Sequence, residues 1–107
     1  WHAALIGKYW LEKYAKLPVS VELASEFRYR EPVLREGAVV VGMSQSGETA
    51  DTLAVIMDMK RRGFKTLAIT NVRGSTISRE ADATFFTAAG PEIGVAATKT
   101  FMTQMLT

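Results

Sequence analysis

Residues 38–49 read Ala38-Val39-Val40-Val41-Gly42-Met43-Ser44-Gln45-Ser46-Gly47-Glu48-Thr49. The β-branched first half predicts a strand over residues 38–43 that is buried on both faces, and the polar second half predicts a turn. A helix is predicted over residues 49–62, because apolar residues recur there at helical spacing and Gly63 provides a stop. A strand, turn and helix in this order are typical of an α/β protein with a parallel sheet.

The turn after this strand is rich in hydroxyl groups. They belong to Ser44, Ser46 and Thr49, and the amide side chain of Gln45 lies among them in the sequence. The first amides of a helix have no partner within it, and the helix dipole favours negative charge there. Hydroxyl and amide side chains add hydrogen-bond donors without a fixed charge. The turn is therefore predicted to bind phosphate, with simple helix capping by Ser46 as the alternative.

The turn lacks the signatures of common nucleotide-binding sites. No G-x-G-x-x-G follows the strand, and the chain contains no G-x-x-x-x-G-K-[ST]. A hydroxyl-lined turn without lysine suits a phosphate monoester better than a polyphosphate with Mg²⁺. No histidine or other base has an evident route to Ser44, which argues against a nucleophilic serine.

Composition narrows the class of protein. The 107 residues suit one small domain or part of a larger one, and a net charge of +2 with scattered basic residues argues against nucleic-acid binding. With no cysteine and a single histidine, a metal site within the chain is not expected. No apolar run approaches the roughly 20 residues of a membrane span, so a cytoplasmic location is expected.

Both ends fall inside helical patterns, so residues 1–107 are expected to form a single domain truncated at both ends.

Periodicity and turn residues predict the other elements. They are a first helix ending before Pro18, a strand over 19–23, a helical turn over 25–29, strands over 66–70 and 83–87, and helices over 77–81 and 94–107. Alternating strands and helices predict a parallel sheet with helices on both faces. Ligands of such sheets bind beyond the carboxyl ends of the strands. The turns after residues 43 and 70 and the loop after residue 87 share that edge.

Three stretches resemble a known family. S-Q-S-G-E-T-A-D-T over residues 44–52 resembles the phosphosugar-binding turn of the SIS (sugar isomerase) domain family. V-E-L-A-S-E-F-R-Y-R over 21–30 and E-I-G-V-A-A-T-K over 92–99 are similar to the first of two SIS modules in the glucosamine-6-phosphate synthase family. The resemblance covers essentially the whole chain. It implies a three-layer αβα sandwich with a flavodoxin-like parallel sheet of order 2-1-3-4-5, whose missing first strand would lie between residues 19–23 and 38–43.

The resemblance also implies roles for individual residues. The phosphate of fructose 6-phosphate or glucosamine 6-phosphate would be held by Ser44, Gln45, Ser46 and Thr49. Val95 would face the sugar through its backbone carbonyl. Ala97 stands where the family commonly has serine, so a hydrogen bond from that side chain is not expected. The carboxylates of Glu48 and Asp51 would repel phosphate and are expected to point away from it.

By the same resemblance, the chain would be the phosphosugar-binding part of an enzyme that makes glucosamine 6-phosphate from fructose 6-phosphate and glutamine-derived ammonia. The implied partners are a second SIS module and a glutaminase domain of the same polypeptide, in a homodimer, with no cofactor. No catalytic residue of the family corresponds to a position here, so the chain is expected to bind and orient substrate. Two alternatives remain: the phosphosugar-sensing SIS module of a transcription regulator, and a stand-alone phosphosugar isomerase.

Overall fold

A parallel sheet of three strands forms the centre of the computed structural model, which describes residues 1–94 and 97–107. The strands are β1 (Val39–Met43), β2 (Lys65–Thr70) and β3 (Ala83–Phe86), in the order β1-β2-β3. The helices are α1 (His2–Trp10), α2 (Ala24–Phe27), α3 (Ala50–Arg61), α4 (Thr76–Glu80) and α5 (Lys99–Leu106), and a π-helical segment, Leu11–Ala15, extends α1. The predicted α/β fold with a parallel sheet is confirmed.

One face of the sheet packs against α3 and α4. Ile56 of α3 and Ile77 of α4 are fully buried together with Ala68 of β2. Glycine is required at position 42 in β1, because a Cβ atom there would lie 2.8 Å from Cγ1 of Ile56. This close packing brings the start of α3 to the carboxyl edge of β1, where the hydroxyl-rich turn lies.

The opposite face of the sheet is apolar and more exposed. Val39 and Val41 of β1 and Phe85 of β3 have exposed fractions of 58%, 46% and 54%. The prediction that residues 38–43 are buried on both faces is therefore wrong for the part of the chain that the structure describes. Alternate residues of a strand point to opposite faces of the sheet, and α3 packs against only one face of β1.

Two sequence predictions differ from the structure. Residues 19–23, predicted as a strand, have no regular secondary structure. A strand needs a partner for its backbone hydrogen bonds, and within the described ranges β1 pairs only with β2. The last helix begins at Lys99 and not at residue 94. The other predicted elements agree with the structure to within a few residues.

The remaining helices complete the packing outside the sheet. α1 and α5 pack against each other, and α2 packs against α3. Ala3 of α1 and Thr100 of α5 are buried, whereas Trp1 and Trp10 are about half exposed. Across residues 1–94 and 97–107, no helix combines the length and the hydrophobicity that crossing a membrane requires.

Candidate functional site

The turn between β1 and α3, residues 44–49, lies at the carboxyl edge of the sheet and is called the phosphate turn below. The backbone N–H of Ser44 donates to the carbonyl of Ile69 at 3.0 Å, which continues the pairing of β1 with β2. The Ser44 hydroxyl lies 2.9 Å from the Thr49 hydroxyl and accepts from the N–H of Gly47 at 3.0 Å. Ser44 is only 6% exposed, so this hydroxyl closes the turn from the inside.

The N-terminus of α3 has no side-chain cap. Thr49 occupies the cap position, but its hydroxyl is bonded to Ser44. The Ser46 hydroxyl accepts from the N–H of Glu48 at 3.2 Å, within the turn and before the helix. Capping by Ser46, the alternative that the sequence left open, is therefore wrong. The first amides of α3 point out of the helix without a side-chain acceptor, which is the arrangement that binds anions.

Two backbone carbonyls of the phosphate turn accept hydrogen bonds from the end of β2, from the residue that follows it and from α4. The carbonyl of Gln45 accepts from the N–H of Asn71 at 3.1 Å and from the hydroxyl of Thr70 at 3.2 Å. The carbonyl of Gly47 accepts from the N–H of Ile77 at 3.1 Å. These bonds fix the turn to neighbouring elements and engage oxygens that would otherwise repel an anion.

Gly47 is required by its conformation and by its surroundings. Its φ of 69° is in the left-handed region, and a Cβ atom would lie 2.6 Å from Cβ of Ser75 and 2.9 Å from Oγ1 of Thr70. Among the described residues, Ser75 Oγ is the one buried side-chain polar atom without a hydrogen-bond partner. The phosphate turn therefore rests directly on the segment that precedes α4.

The carboxylates of Glu48 and Asp51, which the sequence predicts to point away from a phosphate, bond to groups outside residues 44–49. Glu48 Oε1 accepts from the backbone N–H of Thr76 at 2.8 Å, at the start of α4. This hydrogen bond is the main reason that the pKa of Glu48 is lowered from its ordinary value. Asp51 accepts from the Arg28 guanidinium at 3.0 Å. Both carboxylates are therefore paired with groups outside residues 44–49.

Asn71 joins the phosphate turn to the loop after β3. Its Oδ1 accepts from the Thr87 hydroxyl at 3.1 Å and from the N–H of Ala89 at 2.8 Å. Its Nδ2 donates to the carbonyl of Gly90 at 2.7 Å. Sequence reasoning did not select this side chain. The signal was available, since Asn71 directly follows a strand at the edge where ligands of parallel sheets bind.

The residues expected near the sugar are described only in part. Val95, the candidate sugar contact, lies outside the described residues. Ala97 is exposed. Glu92 Oε2 accepts from the backbone N–H of Thr100 at 3.1 Å and from its hydroxyl at 2.9 Å. Glu92 therefore stabilises the N-terminal turn of α5, where a negative charge complements the helix dipole.

The sequence has close relatives among enzymes. It is 58% identical over 105 residues to the glutamine–fructose-6-phosphate aminotransferase (isomerizing) of Mycolicibacterium smegmatis, and 55% identical over 106 residues to that of Methanosarcina mazei. The alignments cover 98% and 99% of this chain. The chain spans only 17% of the length of each relative.

The fold is shared with a solved structure. The C-terminal domain of glucosamine-fructose-6-phosphate aminotransferase from Francisella tularensis superimposes with a TM-score of 0.92 and 52% sequence identity. The match covers 95% of this chain and 29% of that chain. The family model described as "SIS domain" matches residues 1–107. The chain therefore belongs to the SIS domain family.

Proposed function

We propose that the chain is the phosphosugar-binding part of a glutamine–fructose-6-phosphate aminotransferase, which forms glucosamine 6-phosphate. The observation that carries this proposal is the uncapped N-terminus of α3 beside the hydroxyls of Ser44, Ser46 and Thr49. Identity above 50% with two aminotransferases across nearly the whole chain supports the choice of enzyme. No specific observation in the described residues favours a regulator or a stand-alone isomerase.

The hydroxyl groups of the turn retain protons that they can donate to a ligand. A hydroxyl that accepts from the backbone, as Ser46 does, still has its own proton to donate. One hydroxyl of the Ser44–Thr49 pair is in the same state, since a single proton joins the two oxygens. Thr49 is exposed and Ser44 is buried, so we assign the available proton to Thr49.

The ligand chemistry follows from these donors. Hydroxyl protons from Ser46 and Thr49, the side chain of Gln45 and the first amides of α3 would donate to the oxygens of a phosphate monoester. The helix dipole would offset part of its charge without a lysine or a metal ion. The proposed phosphate site thus consists of the four residues expected from the sequence, Ser44, Gln45, Ser46 and Thr49. Ser44 contributes indirectly, through its hydrogen bonds to Thr49 and to the N–H of Gly47.

The contribution to the reaction is orientation. Converting a ketose to an aldose requires a base that moves a proton between C1 and C2 of the sugar. A phosphate held at the far end of the sugar fixes where those carbons lie, which can supply a substantial part of the rate enhancement. The proton-transfer groups would come from a second SIS module, and ammonia from a glutaminase domain, of the same polypeptide in a homodimer. The relatives are long enough to contain such parts.

Calorimetric titration of fructose 6-phosphate into the intact protein tests the proposal. Ser46→Ala should weaken binding by about tenfold to a hundredfold, because a hydrogen bond to a charged group contributes roughly 1.5–3 kcal/mol. Ser78→Ala is the matched control, since the Ser78 hydroxyl donates to the carbonyl of Ser75 and lies outside the turn. Equal affinities for wild type and Ser46→Ala would remove Ser46 from the phosphate site.

A further inference from the structure

We infer that Asn71 is a positioning residue that couples the phosphate turn to the sugar-facing loop. That loop is described over residues 87–94, directly after β3, and precedes the candidate sugar contact Val95 in the sequence. The inference rests on the proposed function, because it assigns the two ends of one substrate to the two segments that Asn71 joins. Asn71 itself need not touch the substrate.

The backbone and the side chain of Asn71 serve different segments. The backbone N–H donates to the carbonyl of Gln45 in the phosphate turn at 3.1 Å. The side chain bonds only to the loop in the described residues, through Thr87, Ala89 and Gly90. Its carbonyl oxygen accepts two hydrogen bonds and its amide donates one, so most of its hydrogen-bonding capacity is used. One residue therefore holds two segments of the candidate site at a set separation.

The loop that Asn71 holds contains an unfavourable backbone conformation. Ala88 has a φ of 51°, in the left-handed region, which costs an alanine roughly 1–2 kcal/mol. The bonds from Asn71 to Thr87 and Ala89 lie on either side of Ala88. Such a conformation persists when its surroundings hold it in place. The side chain of Asn71 supplies that support and fixes the path of residues 87–90 after β3.

Because the side chain of Asn71 bonds only to the loop, replacing it should affect binding of the sugar and binding of the phosphate group to different extents. Replacing the Asn71 side chain removes all three bonds to the loop but leaves the backbone bond to Gln45. The affinity for phosphate should change little, because the hydroxyl of Thr70 and the N–H of Ile77 also bond to the turn. The loop should lose its fixed path, and contacts with the sugar should weaken.

Affinities of the intact protein for two probes test the inference. The probes are fructose 6-phosphate and inorganic phosphate, measured by calorimetry for wild type and Asn71→Ala. We expect Asn71→Ala to weaken binding of the sugar phosphate by about tenfold and binding of phosphate by less than about twofold. Ser46→Ala is the comparison, since it should weaken both ligands by a similar factor.

A second variant and a ligand-free measurement cover the case in which Asn71→Ala folds poorly. Asn71→Asp keeps the acceptor for Thr87 and Ala89 but loses the donor to Gly90. In both variants, amide hydrogen exchange should increase in residues 87–94 and stay unchanged in residues 44–49. Equal weakening of the two ligands, or unchanged exchange in the loop, would overturn the role of Asn71. Failure of the wild type to bind either ligand would instead refute the proposed function, and the inference with it.

Discussion

Glu48 and Thr76 are joined by a hydrogen bond of 2.8 Å, in which the backbone N–H of Thr76 donates to the Glu48 carboxylate. Glu48 belongs to the phosphate turn, and Thr76 is the first residue of α4. The negative charge that would oppose a phosphate is thereby used to stabilise the start of a neighbouring helix. The same bond connects the turn to the start of α4.

This bond predicts a pH-dependent contribution to stability. The pKa of Glu48 is lowered from 4.5, chiefly by the Thr76 hydrogen bond. A lowered pKa means that the ionised carboxylate stabilises the folded state at pH values above 4.5, and that this contribution is lost as the pH falls through the lower, folded-state pKa. We expect Glu48→Gln to lower the thermal midpoint at about pH 7 and to lie closer to the wild type at about pH 3.

The exposed Glu36 supplies the control for this experiment, because it makes no hydrogen bond or ion pair in the described residues. The thermal midpoint of Glu36→Gln should change between neutral and acidic pH by the same amount as that of the wild type. Thermal unfolding followed by circular dichroism at both pH values measures the effect. A Glu48→Gln midpoint that differs from the wild type by the same amount at both pH values would contradict the proposed role of the charge.

The buried serines Ser44 and Ser75 should respond oppositely to removal of their hydroxyls. Ser44→Ala leaves the N–H of Gly47 without its acceptor and is expected to cost roughly 1–3 kcal/mol of unfolding free energy. Ser75→Ala removes a hydroxyl that has no partner in the described residues, so we expect no loss or a gain of up to about 1 kcal/mol. Urea denaturation of the two variants gives both values. A larger loss for Ser75→Ala than for Ser44→Ala would be evidence against this account.

Gly47→Ala should be far more disruptive than alanine at another left-handed glycine. Gly47 and Gly37 have φ values of 69° and 76°, so both substitutions carry the cost of a left-handed alanine. A Cβ atom at Gly37 meets nothing within 4 Å, whereas one at Gly47 collides with Ser75 and Thr70. We expect Gly47→Ala to lose roughly 1–3 kcal/mol more than Gly37→Ala, and to weaken phosphate binding as well. Comparable denaturation midpoints would show that the turn can move away from α4.

The residue pattern of a segment predicted its secondary structure correctly where that structure depends mainly on the segment's own residues. The β-branched run before Ser44 and the helical spacing after Thr49 predicted β1 and α3 to within one residue at each end. The same reasoning failed for residues 19–23, because alternation of side chains does not reveal whether a partner strand is present. It also failed for the face of β1 that points away from α3, because the composition of a strand does not show which of its faces are covered by neighbouring elements.

The sequence by itself determined the α/β class, the position of the hydroxyl-rich turn at a helix start and, through resemblance, the family. Only the tertiary structure decided how that turn is held: Glu48 on Thr76, Gly47 against Ser75, and Asn71 between the turn and the loop after β3. The physical reason is distance along the chain. These contacts join residues 16 to 28 positions apart, and such pairs meet only after the strands have aligned and the helices have packed.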